Sequence, residues 1–135
     1  ADTNVNRALH TTMEVDAFEG MGQLHQQGKV FDLVIIDPPS FAKRKTEIDG
    51  ALRADARLTK LGLALLHPRG TLVQASCSSR ITADQFFATI HSAARSSGRF
   101  LNELARTGHA LDHPIGFREG AYLKCLFAEV GKAEK

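Results

Sequence analysis

The stretch Phe31-Asp32-Leu33-Val34-Ile35-Ile36-Asp37-Pro38-Pro39-Ser40-Phe41 decides how this chain folds. Its first six residues form a short, mostly apolar run bounded by turn residues, which predicts a buried β-strand. Pro38 and Pro39 cannot donate to a sheet ladder, so the strand must stop at Asp37. Ligands of open α/β sheets bind at such carboxyl ends of strands, and Asp37 is therefore predicted to lie at the edge of an active site. The alternative is an ordinary proline turn.

Strand and helix patterns alternate along the rest of the chain, which predicts an α/β fold with a mostly parallel sheet covered by helices. The patterns predict helices at residues 4–9, 17–27, 51–66 and 82–97, and further strands at residues 12–15, 71–75, 100–104 and 122–129. Thr82 and Gln85 form a capping-box pattern. Residues 42–49 are charged and polar, typical of a mobile loop. The last two strands are expected to pair antiparallel.

Composition excludes several classes of protein. With 43% hydrophobic and 24% charged residues, the chain is typical of a globular domain, and no apolar run approaches the roughly 20 residues of a membrane span. A cytoplasmic location is the default expectation. Two cysteines without metal-ligand spacing predict reduced thiols and no metal site. The net charge of +2 is modest, but the cluster Lys43-Arg44-Lys45 follows the proline junction, where it either meets phosphates or forms a solvated loop.

Three side chains that could take part in catalysis or binding follow successive predicted strands. Asp16, Asp37 and Cys77 would converge at one edge of the sheet if the strands are parallel. Each has a structural alternative, because Asp16 can cap the helix that begins at Ala17 and cysteine is often a buried small hydrophobe. The serines around Cys77 favour a polar strand end and a usable nucleophile. Cys125 alternates with apolar residues and is expected in the core.

The motifs together resemble the class I S-adenosylmethionine-dependent methyltransferases. More narrowly, the chain is similar to the carboxy-terminal catalytic half of the ribosomal RNA large-subunit cytosine-5 methyltransferases. The matching motifs are Val15-Asp16-Ala17-Phe18, Phe31 to Phe41, Leu72 to Ser78, Asp112-His113-Pro114 and Glu119 to Lys124. The resemblance implies a partial Rossmann-like methyltransferase fold with an antiparallel strand near the carboxy terminus. Residues 1–130 would be the carboxy-terminal part of a catalytic domain, and residues 131–135 a polar tail.

The resemblance also implies a cofactor, S-adenosylmethionine, and roles for individual residues. Asp16, Ala17 and Phe18 would lie near its adenine, and Asp37 and Pro38 between the methyl donor and the target base. Cys77 matches the nucleophile, whose thiolate adds to carbon 6 of cytosine, and Asp37 would stabilise the adduct.

The implied acceptor is a base in RNA, most simply ribosomal RNA. The substrate side of the cleft would include Pro39, Ser40, Phe41, Lys43, Arg53, His113, Glu119, Tyr122 and Lys124. Phe41 suits stacking on a splayed base. The alternatives are that Asp112-His113-Pro114 is only a turn and that Lys124 is a solvated strand residue.

Three departures from the resembled pattern limit these expectations. Many RNA cytosine-5 methyltransferases have a second cysteine directly after the proline junction, whereas Ser40 and Phe41 stand here, so releasing the product needs another base. The lysine frequent at the Ser40 position is also absent. The related guanine methyltransferases lack a cysteine at the Cys77 position, so Cys77 discriminates between cytosine and guanine as the acceptor. The first strand, its glycine-rich loop and the ribose-binding acid are also missing from the sequence.

We therefore expect a fragment with an exposed apolar strand edge. Such a fragment would bind cofactor weakly and could self-associate as a homodimer through that strand. Methyl transfer to guanine or another acceptor, and a non-catalytic fragment that binds RNA or itself, stay open as alternatives.

Overall fold

The computed structural model describes residues 12–107 and 123–132, which form helices packed on a mixed β-sheet. The elements are α1 (Ala17–Gln26), β1 (Phe31–Ile36), a 3-10 turn (Lys45–Glu47), α2 (Ile48–Ala64), β2 (Leu66–Ser76), α3 (Ala83–Ser96), β3 (Arg99–Thr107) and β4 (Lys124–Lys132). No helix in this part of the chain has the length and apolar character needed to cross a bilayer. The predicted helix at residues 4–9 lies outside the described residues.

The sheet has the strand order β1-β2-β4-β3. β1 runs parallel to β2, and β4 lies between β2 and β3, antiparallel to both. The α/β fold and the antiparallel carboxy-terminal strand are thus confirmed. The expectation of a mostly parallel sheet is wrong for the described strands, because the insertion of β4 makes two of their three pairings antiparallel.

The core lies between the sheet and the packed pair α2 and α3. Leu58, Phe86 and Ile90 from the helices and Leu72 and Leu126 from the sheet are at most 1% exposed. Fully burying such a side chain contributes about 1.5–3 kcal/mol, so this layer is the main source of stability. These residues fall on one face of each element, as the apolar periodicity predicts.

The helices α1 and α3 begin with side-chain caps. Thr82 Oγ1 accepts from the Gln85 backbone N–H at 3.1 Å, and Gln85 Oε1 accepts from the Thr82 N–H at 3.0 Å, which confirms the capping box. Asp16 caps α1 in the same manner, its carboxylate accepting from Glu19 N–H at 3.2 Å. These caps satisfy backbone donors that a helix start leaves unpaired.

Several boundaries differ from the sequence predictions. Residues 12–16 form no strand, so the prediction of a strand at 12–15 is wrong. α2 begins at Ile48 and not at residue 51, because Ile48 packs against the core after the 3-10 turn. β2 starts at Leu66, since Leu66 already pairs with Phe31 before an irregularity around residues 67–70 interrupts the ladder. The last strand begins at Lys124.

β1 exposes apolar side chains. Phe31, Leu33 and Ile35 are 39%, 51% and 65% exposed, although the strand was expected to be buried. Among the described strands, β1 pairs only with β2, so its other backbone edge faces outward. An apolar strand edge of this kind is a surface on which another strand can pair.

Candidate active site

The carboxyl ends of β1 and β2 form one edge of the sheet. Ile36 is paired with Gln74 in the parallel ladder, so Asp37 follows at about the level of Ala75 and Cys77 lies two residues further along. Asp37 is exposed and Cys77 is a half-buried free thiol. The structure therefore places both predicted residues at the same edge of neighbouring strands, and Cys77 is partly exposed to solvent.

The segment after Asp37 is tied to the segment that carries Cys77. Ser78 Oγ donates to the Ala42 carbonyl at 3.1 Å, and Ser40 Oγ donates to the same carbonyl at 3.3 Å. Pro38 and Ser40 are half-buried and Pro39 is exposed. The loop that follows β1 and the loop that follows β2 thus form a single wall of the site.

Aromatic side chains connect the start of α1 to this wall. The Phe18 and Phe41 rings lie 6.4 Å apart between centroids, and the Arg57 guanidinium stands 4.6 Å from the centre of the Phe18 ring. Tilted ring pairs and cation–π contacts at these distances are favourable. Asp16 and Ala17, both exposed, precede Phe18, so the predicted adenine-side residues approach the predicted acceptor-side residue Phe41. Stacking of a base on Phe41 stays a prediction.

A groove of about 410 Å³ runs between α1 and β1 to the proline junction. Its walls are mainly apolar, with Ala17 and Met21 on one side, β1 on the other, and Asp37 and Pro38 at the end. A pocket with apolar walls and a few polar groups suits a small organic ligand. The predicted cofactor residues Ala17, Asp37 and Pro38 therefore share one cavity, whereas Asp16 and Phe18 are not among its lining residues.

Lys124 is buried next to the segment that carries Cys77. It is only 5% exposed, and its Nζ donates to the Ser78 carbonyl at 2.6 Å. The alternative of a solvated strand residue is therefore wrong. Burial lowers the pKa of Lys124, while the negative charges of Asp55 and Cys77 act in the opposite direction. A direct contact of Lys124 with substrate stays a prediction.

Sequence reasoning missed Asp55. It is 1% exposed on α2, and burial raises its pKa from the ordinary value of 3.8 to about 6, with the nearby Lys124 charge opposing the rise. A signal was present, because Asp55 follows Ala51 by four residues and precedes Leu58 by three, which places it on the buried face of the helix. A carboxylate inside an amphipathic stripe indicates a buried polar site.

Cys125 does not occupy the core, contrary to the prediction. In β4 the fully buried side chains are Lys124, Leu126, Ala128 and Val130, whereas Cys125 falls on the alternate, half-buried face. Burial raises the pKa of its thiol, and the nearby negative charge of Asp37 adds to the rise. Cys125 is therefore a second free thiol on the strand adjacent to β2.

Of the remaining predicted substrate residues, some lie within the described part of the chain and others outside it. Lys43 and Arg53 are exposed, on the loop after β1 and on α2. His113, Glu119 and Tyr122, with the turn Asp112-His113-Pro114, lie outside the described residues.

The chain is similar in sequence to bacterial ribosomal RNA methyltransferases. It is 43% identical over 123 residues to the "Ribosomal RNA large subunit methyltransferase" of Deinococcus radiodurans, a match that covers 91% of this chain and 30% of the relative. It is 41% identical over 122 residues to "Ribosomal RNA large subunit methyltransferase I" of Shewanella amazonensis, covering 89% of this chain and 31% of the relative. The chain thus spans about a third of the length of these relatives. No family model matches it.

Solved structures agree with the fold. The crystal structure of SMU.776 complexed with SAH superposes with a TM-score of 0.69 at 22% identity, covering 91% of this chain and 34% of that one. The M1.HpyAVI–SAM complex gives a TM-score of 0.55 at 23% identity, covering 90% and 53%. The chain therefore has the Rossmann-like α/β fold of methyltransferases.

Proposed function

We propose that this chain is the catalytic portion of an S-adenosylmethionine-dependent methyltransferase that modifies carbon 5 of a cytosine in large-subunit ribosomal RNA, with Cys77 as its nucleophile. The observation that carries the proposal is the half-buried free thiol of Cys77 at the carboxyl end of β2, next to the Asp37-Pro38 end of β1. The sequence similarity to large-subunit ribosomal RNA methyltransferases supports the choice of acceptor.

The described residues fit the cofactor at two of its ends. Ala17 and Phe18, with the exposed Asp16 carboxylate, would hold the adenine end, and Asp37 and Pro38 would line the end where the methyl group leaves. S-adenosylmethionine, when bound, supplies the methyl group from its sulfonium, and carbon 5 of the base accepts that methyl group. The described residues leave the methionine end of the cofactor without an assigned contact, and backbone N–H groups at the start of a helix are the usual way of holding such a charged end.

Cys77 would activate the base by covalent addition. Its thiolate forms a bond to carbon 6 of cytosine, and the electrons of the 5,6 double bond move to make carbon 5 nucleophilic. After methylation, a base removes the carbon 5 proton, the double bond reforms and the thiolate leaves. The partial exposure of Cys77 supports this role, because a thiol sealed in the core could not meet a base.

Asp37 would hold the target base during this addition. It is exposed directly beside the groove, where its carboxylate can accept hydrogen bonds from the pyrimidine amino edge. The half-buried Phe41 would stack on the splayed base, and the exposed cations Lys43 and Arg53 would meet phosphates. His113, Glu119 and Tyr122 complete the proposed acceptor side, and the buried Lys124 supports it through the Ser78 carbonyl.

The test compares two cysteine variants of the full-length gene product. Cys77→Ala should abolish 5-methylcytidine in large-subunit ribosomal RNA, as measured by nucleoside mass spectrometry of a complemented deletion strain. Cys125→Ala is the matched control, because it removes the second free thiol on the neighbouring strand, and it should leave methylation intact. Unchanged 5-methylcytidine in the Cys77→Ala strain would contradict the proposal.

A trapping experiment separates the acceptor bases. RNA carrying 5-fluorocytidine has no carbon 5 proton to release, so the wild-type protein should accumulate a covalent adduct and Cys77→Ala should not. If deletion of the gene instead removes a methylated guanine, the acceptor is guanine and the thiol has another role. If it changes no nucleoside, the chain is a non-catalytic fragment.

A further inference from the structure

A buried polar cluster lies beneath the strand end that carries Cys77. It has five members, each at most 5% exposed: Asp55 and Thr59 on α2, Gln74 on β2, Ser78 in the loop after β2, and Lys124 on β4. Burying polar groups, and above all two opposite charges, is costly even when they are well paired. Such a cluster in the small core of this chain calls for a role beyond stability.

One side of the cluster fixes the backbone next to the nucleophile. Lys124 Nζ donates to the Ser78 carbonyl at 2.6 Å, and Ser78 Oγ donates to the Ala42 carbonyl at 3.1 Å. Ser78 directly follows Cys77, and Lys124 stands opposite Ser76 in the β2–β4 ladder. The Lys124 ammonium therefore anchors the first residues after β2 through the Ser78 carbonyl. This hydrogen bond is strong because its donor is charged.

The other side of the cluster supplies a negative charge. Asp55 is 1% exposed, and its Oδ2 has no hydrogen-bond partner within the described ranges. Its main chain is held in place, because Gln74 Nε2 donates to the Asp55 carbonyl at 3.2 Å while Thr59 Oγ1 donates to Gln74 Oε1 at 2.8 Å. Asp55 and Cys77 interact electrostatically with Lys124 and raise its pKa against the effect of burial.

We propose that Lys124 is a positioning residue for the Cys77 nucleophile, holding the backbone of residues 77–78 through the Ser78 carbonyl while Asp55 provides the buried counter-charge. The proposal rests on the proposed function in so far as Cys77 is the nucleophile. Lys124 thereby acts through the segment it anchors, and the geometry requires no contact between Lys124 and the base.

The first test measures the anchor without any reference to activity. In the full-length gene product, Lys124→Met should accelerate amide hydrogen exchange in a peptide covering residues 77–81, since the Ser78 carbonyl loses its donor. Thr59→Val is the matched control, because it alters the same cluster without touching Ser78. It should leave exchange in that peptide unchanged.

The second test measures catalysis on a defined probe, the large-subunit ribosomal RNA purified from a strain lacking the gene. Lys124→Met should lower kcat on the order of 100-fold while the KM for this RNA stays within about twofold, because a misplaced nucleophile slows chemistry without weakening RNA binding. A merely structural role would move kcat no further than Thr59→Val does.

A third variant covers the case in which Lys124→Met does not fold because it leaves Asp55 without its counter-charge. The double variant Asp55→Asn/Lys124→Met removes both charges, and such neutral replacements are commonly tolerated. It should fold, show fast exchange at residues 77–81 and retain the low kcat.

The outcomes separate the two proposals. Equal exchange in Lys124→Met and wild type, or a kcat equal to that of Thr59→Val, would overturn the positioning role and leave the proposed function standing. A wild-type protein that forms no 5-methylcytidine and no adduct would overturn the proposed function, and with it the positioning of a nucleophile, even where exchange identifies Lys124 as an anchor.

Discussion

Replacing Asp55 with Asn should make the fold more stable at neutral pH. Asp55 is 1% exposed, and burial raises the pKa of its carboxyl from 3.8 to about 6. At about 1.4 kcal/mol for each pKa unit, the ionised carboxylate costs the folded chain about 3 kcal/mol at pH 7. Asn has nearly the shape of the neutral acid and cannot ionise, so the variant should recover most of that amount.

The sign of the effect gives a characteristic pH dependence. Below about pH 4 the carboxyl is protonated in both the folded and the unfolded chain, and the two proteins should be about equally stable. Between about pH 4 and pH 6 the unfolded chain releases the proton while the folded chain keeps it, so the wild type loses stability relative to Asp55→Asn. Above pH 6 the difference should be constant.

Urea denaturation of the full-length wild type and variant, run in parallel from pH 4 to pH 8, measures this difference. Groups that do not interact with Asp55 cancel in the comparison, including Glu103, whose pKa is lowered to about 2 mainly by its hydrogen bond from Arg106. A difference in unfolding free energy that does not vary with pH, or a variant less stable at pH 7, would refute the reasoning.

Three further predictions follow from other parts of the molecule. Thr82→Ala removes the side-chain acceptor for Gln85 N–H and should cost about 1 kcal/mol in urea denaturation, whereas Thr82→Ser should cost little. The 135-residue chain expressed alone should self-associate in analytical ultracentrifugation, and Ile35→Lys should reduce the association because it places a charge on the exposed edge of β1; a chain that is monomeric at every concentration would contradict this. Lys43→Ala and Arg53→Ala should each weaken RNA binding and reduce the slope of log K against log salt by about 1, while unchanged slopes would exclude phosphate contacts.

The sequence predicted best where local signals act alone. β1 has the predicted bounds because two prolines end it and a glycine turn precedes it, and α3 follows its capping box. The prediction failed for residues 12–15, whose apolar pattern has no sheet partner among the described strands. The predicted range of β2 was also too short. Pro68 and Gly70 indicate a turn, whereas the pairing of Leu66 with Phe31 depends on contacts between residues far apart in the chain.

The candidate site shows the same division between local and distant information. Asp37 and Cys77 could be placed at one sheet edge from sequence because each follows the end of a strand. Parallel pairing of β1 and β2 then brings these two ends to the same side of the sheet. The burial of Lys124 could not, since alternation along β4 identifies two faces but not which face α2 covers. The charge pair of Lys124 and Asp55 joins residues far apart in the chain, and only the assembled tertiary structure brings them together.

The position of β4 has a consequence for how the chain is made. β4 follows the other described strands in the chain, yet it sits inside the sheet, where Ala75 pairs with Cys125 and Leu101 with Val130. The pairings of β4 with β2 and β3 join residues that are far apart in the chain. Such pairings form slowly, so the sheet forms late. While translation is under way, β2 lacks its antiparallel neighbour and β3 has no strand beside it. A nascent polypeptide that stalls before residue 124 therefore offers two unfinished ladders to chaperones and proteases.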